Sequence, residues 1–187
     1  SLEYAGGNGC ATAAGTITPG QWYHVAGTKT AGAINTTSTI YVNGATVTCT
    51  GSASTPTVAT GGSQIGNWIN GTQWFDGSID EVRLYNRALS AAEIAYLYRK
   101  GNPEQRTVVN KSQLGRLNDG LVGYWTFDGP DVSGTTATDR GSGGNNGTLT
   151  GGPTVVPGLI GQTLKFDGVD DLVSVGDSAS LDIGTAD

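Results

Sequence analysis

The sequence predicts an all-β fold of short antiparallel strands with a single short helix, and three observations carry that reading. Glycine supplies 31 of 187 residues, charged side chains make up 14% and methionine is absent, a composition that suits many short strands joined by tight turns better than helices. Along QWYHVAGTK (21–29), Trp22, His24 and Ala26 alternate with Tyr23, Val25 and Gly27, as in a strand with one buried face. In TIYVNGATV two apolar runs flank Asn43-Gly44, a pair that tolerates positive φ and suits a two-residue primed hairpin turn.

The remaining elements follow in order. QIGNWINGTQWFDGSIDEVRLYN repeats the hairpin pattern around Asn70-Gly71, with Ile79, Val82 and Leu84 as candidates for a buried face. Ser90-Ala-Ala-Glu93 then has the spacing of a capping box, in which hydroxyl and carboxylate each satisfy an orphan N–H at a helix start. Leu89 and Ile94 match as a hydrophobic staple, and Ile94, Leu97 and Tyr98 make an apolar stripe at helical spacing. The helix is expected near 91–100, ended by Lys100, a left-handed cap at Gly101 and the breaker Pro103. NPEQRTVVNKSQLGRLND (102–119) lacks periodicity and reads as a linker with one short pairing at Thr107 to Val109. Hairpin patterning resumes at Leu121, through LVGYWTF, DRGSGGNNGT and LIGQTLKFDGVDDLVSV.

Charge and cysteine content exclude several classes of function. The net charge of -6 argues against nucleic acid, because phosphate binding needs a basic surface. No apolar run reaches the roughly 20 residues of a membrane span, and no basic stretch followed by an apolar one opens the segment, so a soluble segment is expected with any export signal outside it. Arg99, Lys100, Arg106, Lys111 and Arg116 crowd between 99 and 116, whereas 119–187 holds ten Asp against Arg140 and Lys165, which marks the basic stretch as a connector. Cys10 and Cys49 are the two cysteines; without a Cys/His cluster they exclude a zinc site. Both lie in strand-like segments that antiparallel pairing can bring within bridging range, leaving a disulfide or two buried thiols as the readings. A bridge implies an oxidising compartment. Sequons at Asn35, Asn70, Asn110 and Asn146 fit surface loops, but a chain rich in Asn, Thr and Gly produces such matches by chance.

Six phrases together resemble a known family. GQWYHVAGTK, IYVNGATV, FDGSIDEVRLYNRALSAAEIAYLY, GLVGYWTFDG, DRGSGGNNGTLTG and IGQTLKFDGVDDLVSVGDSASLDI are similar to phrases of the laminin-G-like branch of the concanavalin A-like lectin/glucanase superfamily. The resemblance implies an antiparallel jelly-roll β-sandwich. It also implies an inverted order, because in that family the GYWTF and FDGVDDLV phrases open the domain while WYHVAG, YVNG and DEVRLYNRALS close it. Residues 1–101 therefore read as a C-terminal half, 102–119 as a linker and 120–187 as an N-terminal half, with the central strands not evident. A window from a tandem array, a circular permutant and a protomer completed by a neighbouring copy all fit that order.

Catalysis is not expected. A retaining glucanase of this fold needs two carboxylates about 5 Å apart, and the acidic pairs Asp80-Glu81 and Asp170-Asp171 place their members on opposite sheet faces. Turn caps and partners for Arg83 or Arg87 are the simpler roles. His24, the single histidine, reads as a core or near-core residue. Calcium prefers six to eight oxygens, which Asp139, Asn145, Asn146 and glycine carbonyls of one loop can offer, with Asp128 in support; relatives that bind structural calcium strengthen this expectation. Trp22 and Trp125 fall where the family packs its core. Trp68 and Trp74 flank the Asn70-Gly71 turn and suit a sugar-stacking platform, with Asn67, Asn70 and Gln73 for hydroxyls; stapling the hairpin to the sheet is the competing role. The resulting expectation is a noncatalytic module, secreted or at the cell surface, that assembles head-to-tail with neighbouring copies by strand complementation or serves adhesion, with a carbohydrate-binding lectin-like role as the alternative.

Overall fold

The computed structural model describes residues 3–4, 10–30, 38–48, 62–68, 73–102 and 115–182, of which 3–4, 10–11 and 115–116 are described as backbone only. The chain divides into two compact units, one of residues 1–58, 87–117 and 184–187, the other of 59–86 and 118–183.

In the first unit the Asn43-Gly44 turn does what its chemistry dictates. Asn43 takes φ 53 and Gly44 φ 77, so the hairpin joins β4 (Ser38–Val42) to β5 (Ala45–Val47), with Val42 opposite Ala45. Strand β3 (Val25–Lys29) lies antiparallel on the other side of β4, giving the order β3-β4-β5. A separate small pairing joins β1 (Glu3–Tyr4) to β2 (Cys10–Ala11). The expected alternation holds for His24 and Ala26, which turn inward while Val25 and Gly27 face out. Trp22 does not follow. It is 41% exposed, because the regular strand begins only at Val25 and the pleat does not extend back to residue 22. His24 is partly buried, with its ring centroid 6.0 Å from that of Tyr98.

Helix α1 (Ala91–Gly101) has the expected capping box. The Glu93 N–H donates to Ser90 Oγ at 3.3 Å, and the Ser90 N–H donates to Glu93 Oε2 at 2.8 Å. Arg87 reaches the same carboxylate from outside the helix, at 2.8 and 3.2 Å. The apolar stripe is wider than the sequence suggested, with Ile94 and Tyr96 as its buried members. The end of the helix also differs. The cap is Asn102 in extended conformation, and its N–H bonds the Arg99 carbonyl, so a left-handed Gly101 is not used. Gly44 has a packing role here: a Cβ at that position would lie 3.2 Å from Ala95 Cα and 3.0 Å from the Tyr98 ring, so glycine lets the β4–β5 turn sit close to the helix.

The second unit is an antiparallel β-sandwich, as the sequence predicts. One sheet runs β10 (Val132–Ser133), β11 (Thr136–Ala137), β12 (Gly147–Thr150), β15 (Leu172–Val175), β6 (Ser63–Ile65). The other strands form the ladder β13 (Thr154–Pro157), β14 (Gln162–Asp167), β7 (Asp76–Ile79) and the pair β8 (Val82–Tyr85), β9 (Leu121–Trp125). Their inward residues meet in one core of Trp125, Phe127, Ala137, Leu164, Phe166, Val173 and Val175, with Ile65, Ile79, Val82 and Leu84 against it. Alternation decides which residues those are: on β14, Leu164 and Phe166 face in while Lys165 and Asp167 face out. Each large apolar side chain buried in this way contributes about 1.5–3 kcal/mol.

Strands β6, β7 and β8 come from the closing-half phrases, yet they pair with β15, β14 and β9 of the opening half: Ile65 opposite Val173, Ile79 opposite Leu164, Val82 opposite Trp125. The two halves are thus joined within one chain. The pairing expected at 107–109, the Asn70-Gly71 turn and Cys49 lie outside the described residues, as does the side chain of Cys10.

Candidate functional site

The loop after β11 was the expected calcium site, and its donors are committed to backbone. Asp139 is 9% exposed; its Oδ1 accepts the N–H groups of Tyr124 at 2.7 Å and Gly141 at 2.6 Å, and its Oδ2 that of Asn145 at 2.7 Å. Asn146 Oδ1 accepts the Asp139 N–H at 2.9 Å. Asn145, also buried, donates through Nδ2 to the Val122 carbonyl at 2.9 Å and accepts through Oδ1 from Ser178 at 2.7 Å. Its own carbonyl takes the Trp125 indole N–H at 3.0 Å. The structure thus brings Asp139, Asn145 and Asn146 together as a cap that straps the loop to β9, the role that short polar side chains play in Asx turns. Asp128 is engaged elsewhere: its Oδ1 accepts the Gln162 N–H at 2.7 Å, across the β13–β14 turn.

A second acidic group lies at the β14–β15 turn. One carboxylate oxygen from each of Asp167, Asp170 and Asp171 falls within 4.8 Å of the others. Gly168 at φ 77 makes the reversal that gathers them, and the Val169 N–H donates to Asp167 Oδ1 at 2.8 Å while the Asp167 N–H donates to Asp171 Oδ2 at 2.9 Å. Asp171 is buried; burial, and then the charges of Asp167 and Asp170, push its carboxyl above the ordinary range. Three crowded carboxylate oxygens form a donor set that a hard cation fits. DGVDD was visible as a turn with an acidic pair, but the contribution of Asp167 required knowing that its turn folds back on Asp171.

Of the residues expected to form a sugar platform, Asn67, Trp68, Gln73 and Trp74 lie among the described residues. Asn67 bridges Trp74, and the Trp68 N–H donates to the Gln73 carbonyl at 2.9 Å, so the hairpin flanks are paired as predicted. Trp68 stands 39% exposed, whereas Trp74 is half-buried; Asn67 is partly buried, Gln73 is exposed and Asn70 lies outside the described residues. Phe75, which sequence reasoning did not single out, is 45% exposed and meets the buried Phe166 edge-on at 6.3 Å between ring centroids. Asp76 opposes Asp167 in the β7–β14 register, so the aromatic hairpin and the acidic turn share one end of this unit. Trp125, by contrast, is core, as expected.

The acidic pairs behave as turn residues. Glu81 pairs with Arg83 and accepts the Tyr124 hydroxyl at 2.9 Å, while Arg87 pairs with Glu93.

A laminin-G-type family model, described as the concanavalin A-like lectin/glucanases superfamily, matches residues 2–95. Neither the comparison with curated proteins nor that with solved structures gave a match.

Proposed function

This chain belongs to the concanavalin A-like lectin/glucanases superfamily, and from that premise we propose that it is a noncatalytic adhesion module, displayed outside the cell, that contacts glycans through the hairpin end of its second unit. Laminin-G-like domains are generally noncatalytic, and the family is one of lectin-like and adhesion modules. The observation that carries the reading is the exposed pair Trp68 and Phe75 on a hairpin whose flanks are paired and whose base rests on the buried Phe166. Exposed aromatic rings on a rigid support offer the flat apolar surface that stacks on sugar C–H faces at low entropic cost. Gln73, exposed opposite Trp68, supplies groups for hydroxyls, whereas the Asn67 Oδ1 is buried and its Nδ2 donates to Gln64 Oε1 at 3.5 Å. Any resident calcium is assigned here to Asp167, Asp170 and Asp171, where a cation relieves carboxylate crowding; in the Asp139 loop both carboxylate oxygens accept N–H bonds, whereas Asp167 accepts them through Oδ1 and Asp171 through Oδ2. No helix among the described residues is long and apolar enough to cross a membrane.

The test is binding of the intact chain to an immobilised glycan panel, compared with Trp68→Ala and Phe75→Ala. Loss of binding by both variants at unchanged melting temperature supports the reading. Absence of binding to every glycan, with and without calcium, refutes it.

Head-to-tail assembly is the second reading, and β3 favours it: among the described residues no strand pairs with its outer edge, and Val25 on it is 47% exposed. Open edges invite pairing with another chain. Because β6, β7 and β8 already have partners in their own chain, assembly runs through edges such as β3. Light scattering after size exclusion distinguishes the readings, since a monomer at high concentration refutes assembly.

A further inference from the structure

Where β7 turns into β8, one carboxylate stands without an ion-pair partner among the described residues. Asp80 follows the last residue of β7, and its Oδ1 is buried with no hydrogen-bond partner among the described residues. The next residue, Glu81, sits at φ 55, a left-handed conformation that a bulky residue adopts only when its surroundings enforce it. Those surroundings are Arg83 and Tyr124. Arg83 donates to the Glu81 carbonyl at 3.2 Å and ion-pairs with its carboxylate, the Tyr124 hydroxyl donates to the same carboxylate at 2.9 and 3.0 Å, and the Arg83 guanidinium lies 4.1 Å from the Tyr124 ring centroid. Arg83, the cation that the described residues bring to this corner, is therefore engaged by Glu81 and the ring.

For Asp80 like charges outweigh the pull of Arg83. Glu81 adjoins it on the corner, and Asp128 acts on it from the turn that follows β9, where the Gln162 N–H fixes that carboxylate. From the β13–β14 turn Gly158 approaches it, a Cβ built there lying 3.4 Å from Asp80 Oδ2; Gln162, at the start of β14, brings no charge.

We propose that the β7–β8 corner is a proton-operated clasp, closed while Asp80 is neutral and loosened when it ionises. A neutral carboxyl can stay in this uncompensated place, whereas an ionised one must reach water or push Asp128 and the Glu81 turn away. Burial first, then the charge of Glu81 and, less strongly, that of Asp128 raise the carboxyl to about 7, while the Glu81 N–H and Arg83 pull it down. The sign follows from linkage. Between the ordinary value of 3.8 and about 7 the folded chain holds a proton that the unfolded chain releases, so stability is greatest below that window and falls as pH rises through it. Loosening begins at the ends of both ladders that the corner joins, Ile79 with Leu164 and Val82 with Trp125.

The experiment is a side-chain carboxyl NMR titration of the full chain from pH 3 to 9, with hydrogen exchange at residues 79–82, in wild type, Asp80→Asn and Asp128→Asn. One aspartate resonance with a midpoint near 7 is expected, absent from Asp80→Asn and moved to lower pH in Asp128→Asn. Exchange at the corner, corrected for intrinsic base catalysis, should accelerate between pH 6 and 8 in wild type and stay level in Asp80→Asn. Every aspartate titrating below pH 5 overturns the clasp, and so does a midpoint near 7 without a change in exchange. If Asp80→Asn fails to fold, the wild-type titration and exchange decide the matter alone.

Discussion

Gly66→Ala is the sharpest test of how the two halves of the chain meet. Gly66 follows β6 at φ 91, and a Cβ there would lie 2.4 Å from Phe166 Cε1, 2.5 Å from Cδ1 and 3.2 Å from the Asp171 carbonyl oxygen. Phe166 cannot step aside, because it is fully buried and Phe75 stands edge-on against it. Two costs add: about 1–2 kcal/mol for a non-glycine residue in that conformation and about 1–3 kcal/mol for overpacking a filled core, together about 3 kcal/mol. For a domain of about 100 residues this lowers the melting temperature by roughly 12–24 °C. Gly134→Ala is the control, since Gly134 has φ 58 and nothing within 4 Å of an added Cβ; it should show the conformational cost alone. Placing Phe166→Leu beside Gly66→Ala should recover part of the loss, a coupling that a double-mutant cycle measures. If thermal and urea melts find Gly66→Ala no more costly than Gly134→Ala, no ring lies over residue 66, and the pairing of β6 with β15 in one chain is wrong.

Ser90→Ala should cost about 1 kcal/mol in urea melts through loss of the helix cap, with a smaller loss below pH 4. The reason is Glu93, which the Arg87 hydrogen bonds, then those of Ser90, hold down at about 2. Its contribution is complete above the ordinary value of 4.5 and disappears as pH falls towards 2. Asp139→Ala strands three N–H groups and should destabilise by about 2–3 kcal/mol, equally in chelator and in millimolar calcium. Asp170→Asn should leave the chelator melt near wild type and abolish any calcium-induced rise, which amounts to about 2.7 kcal/mol when calcium is a hundredfold above its Kd; a rise that survives moves the cation elsewhere. Intact mass after alkylation without reductant should show no modified thiol if Cys10 and Cys49 are bridged, and two modified thiols end that reading.

Local chemistry was legible wherever it was decided locally. Asn43-Gly44 specifies its turn because few residue pairs accept positive φ twice in succession, and Ser90 with Glu93 specifies a helix start because both partners lie within four residues. Ile79, Val82 and Leu84, read as one buried face from their strand pattern, do pack against the core of the second unit. What stayed hidden depends on residues far apart in sequence. Trp22 looked like core from its place in a phrase, but its exposure depends on where the ladder to β4 begins. The oxygens of the Asp139 loop read as free ligands, and only the approach of β9 shows that N–H groups already occupy them. Asp80 read as one of two equivalent turn acids; that Arg83 is engaged by its neighbour follows from Tyr124, which lies on β9.

The threading of the second unit also sets a timetable for its synthesis. Ile79 and Thr163, joined by a hydroxyl-to-carbonyl bond of 2.7 Å, stand 84 residues apart. At about 5–20 residues per second, roughly 4–17 s pass between the emergence of β7 and that of β14. Hairpins close in microseconds, so during the whole of that interval the strand is ready and its partner does not yet exist. Helix α1, whose capping contacts all lie within residues 87–102, can form in the meantime. A nascent chain of this design needs something to shield β6, β7 and β8 while the ribosome catches up, and slowing translation between residues 86 and 160 should raise the fraction that aggregates.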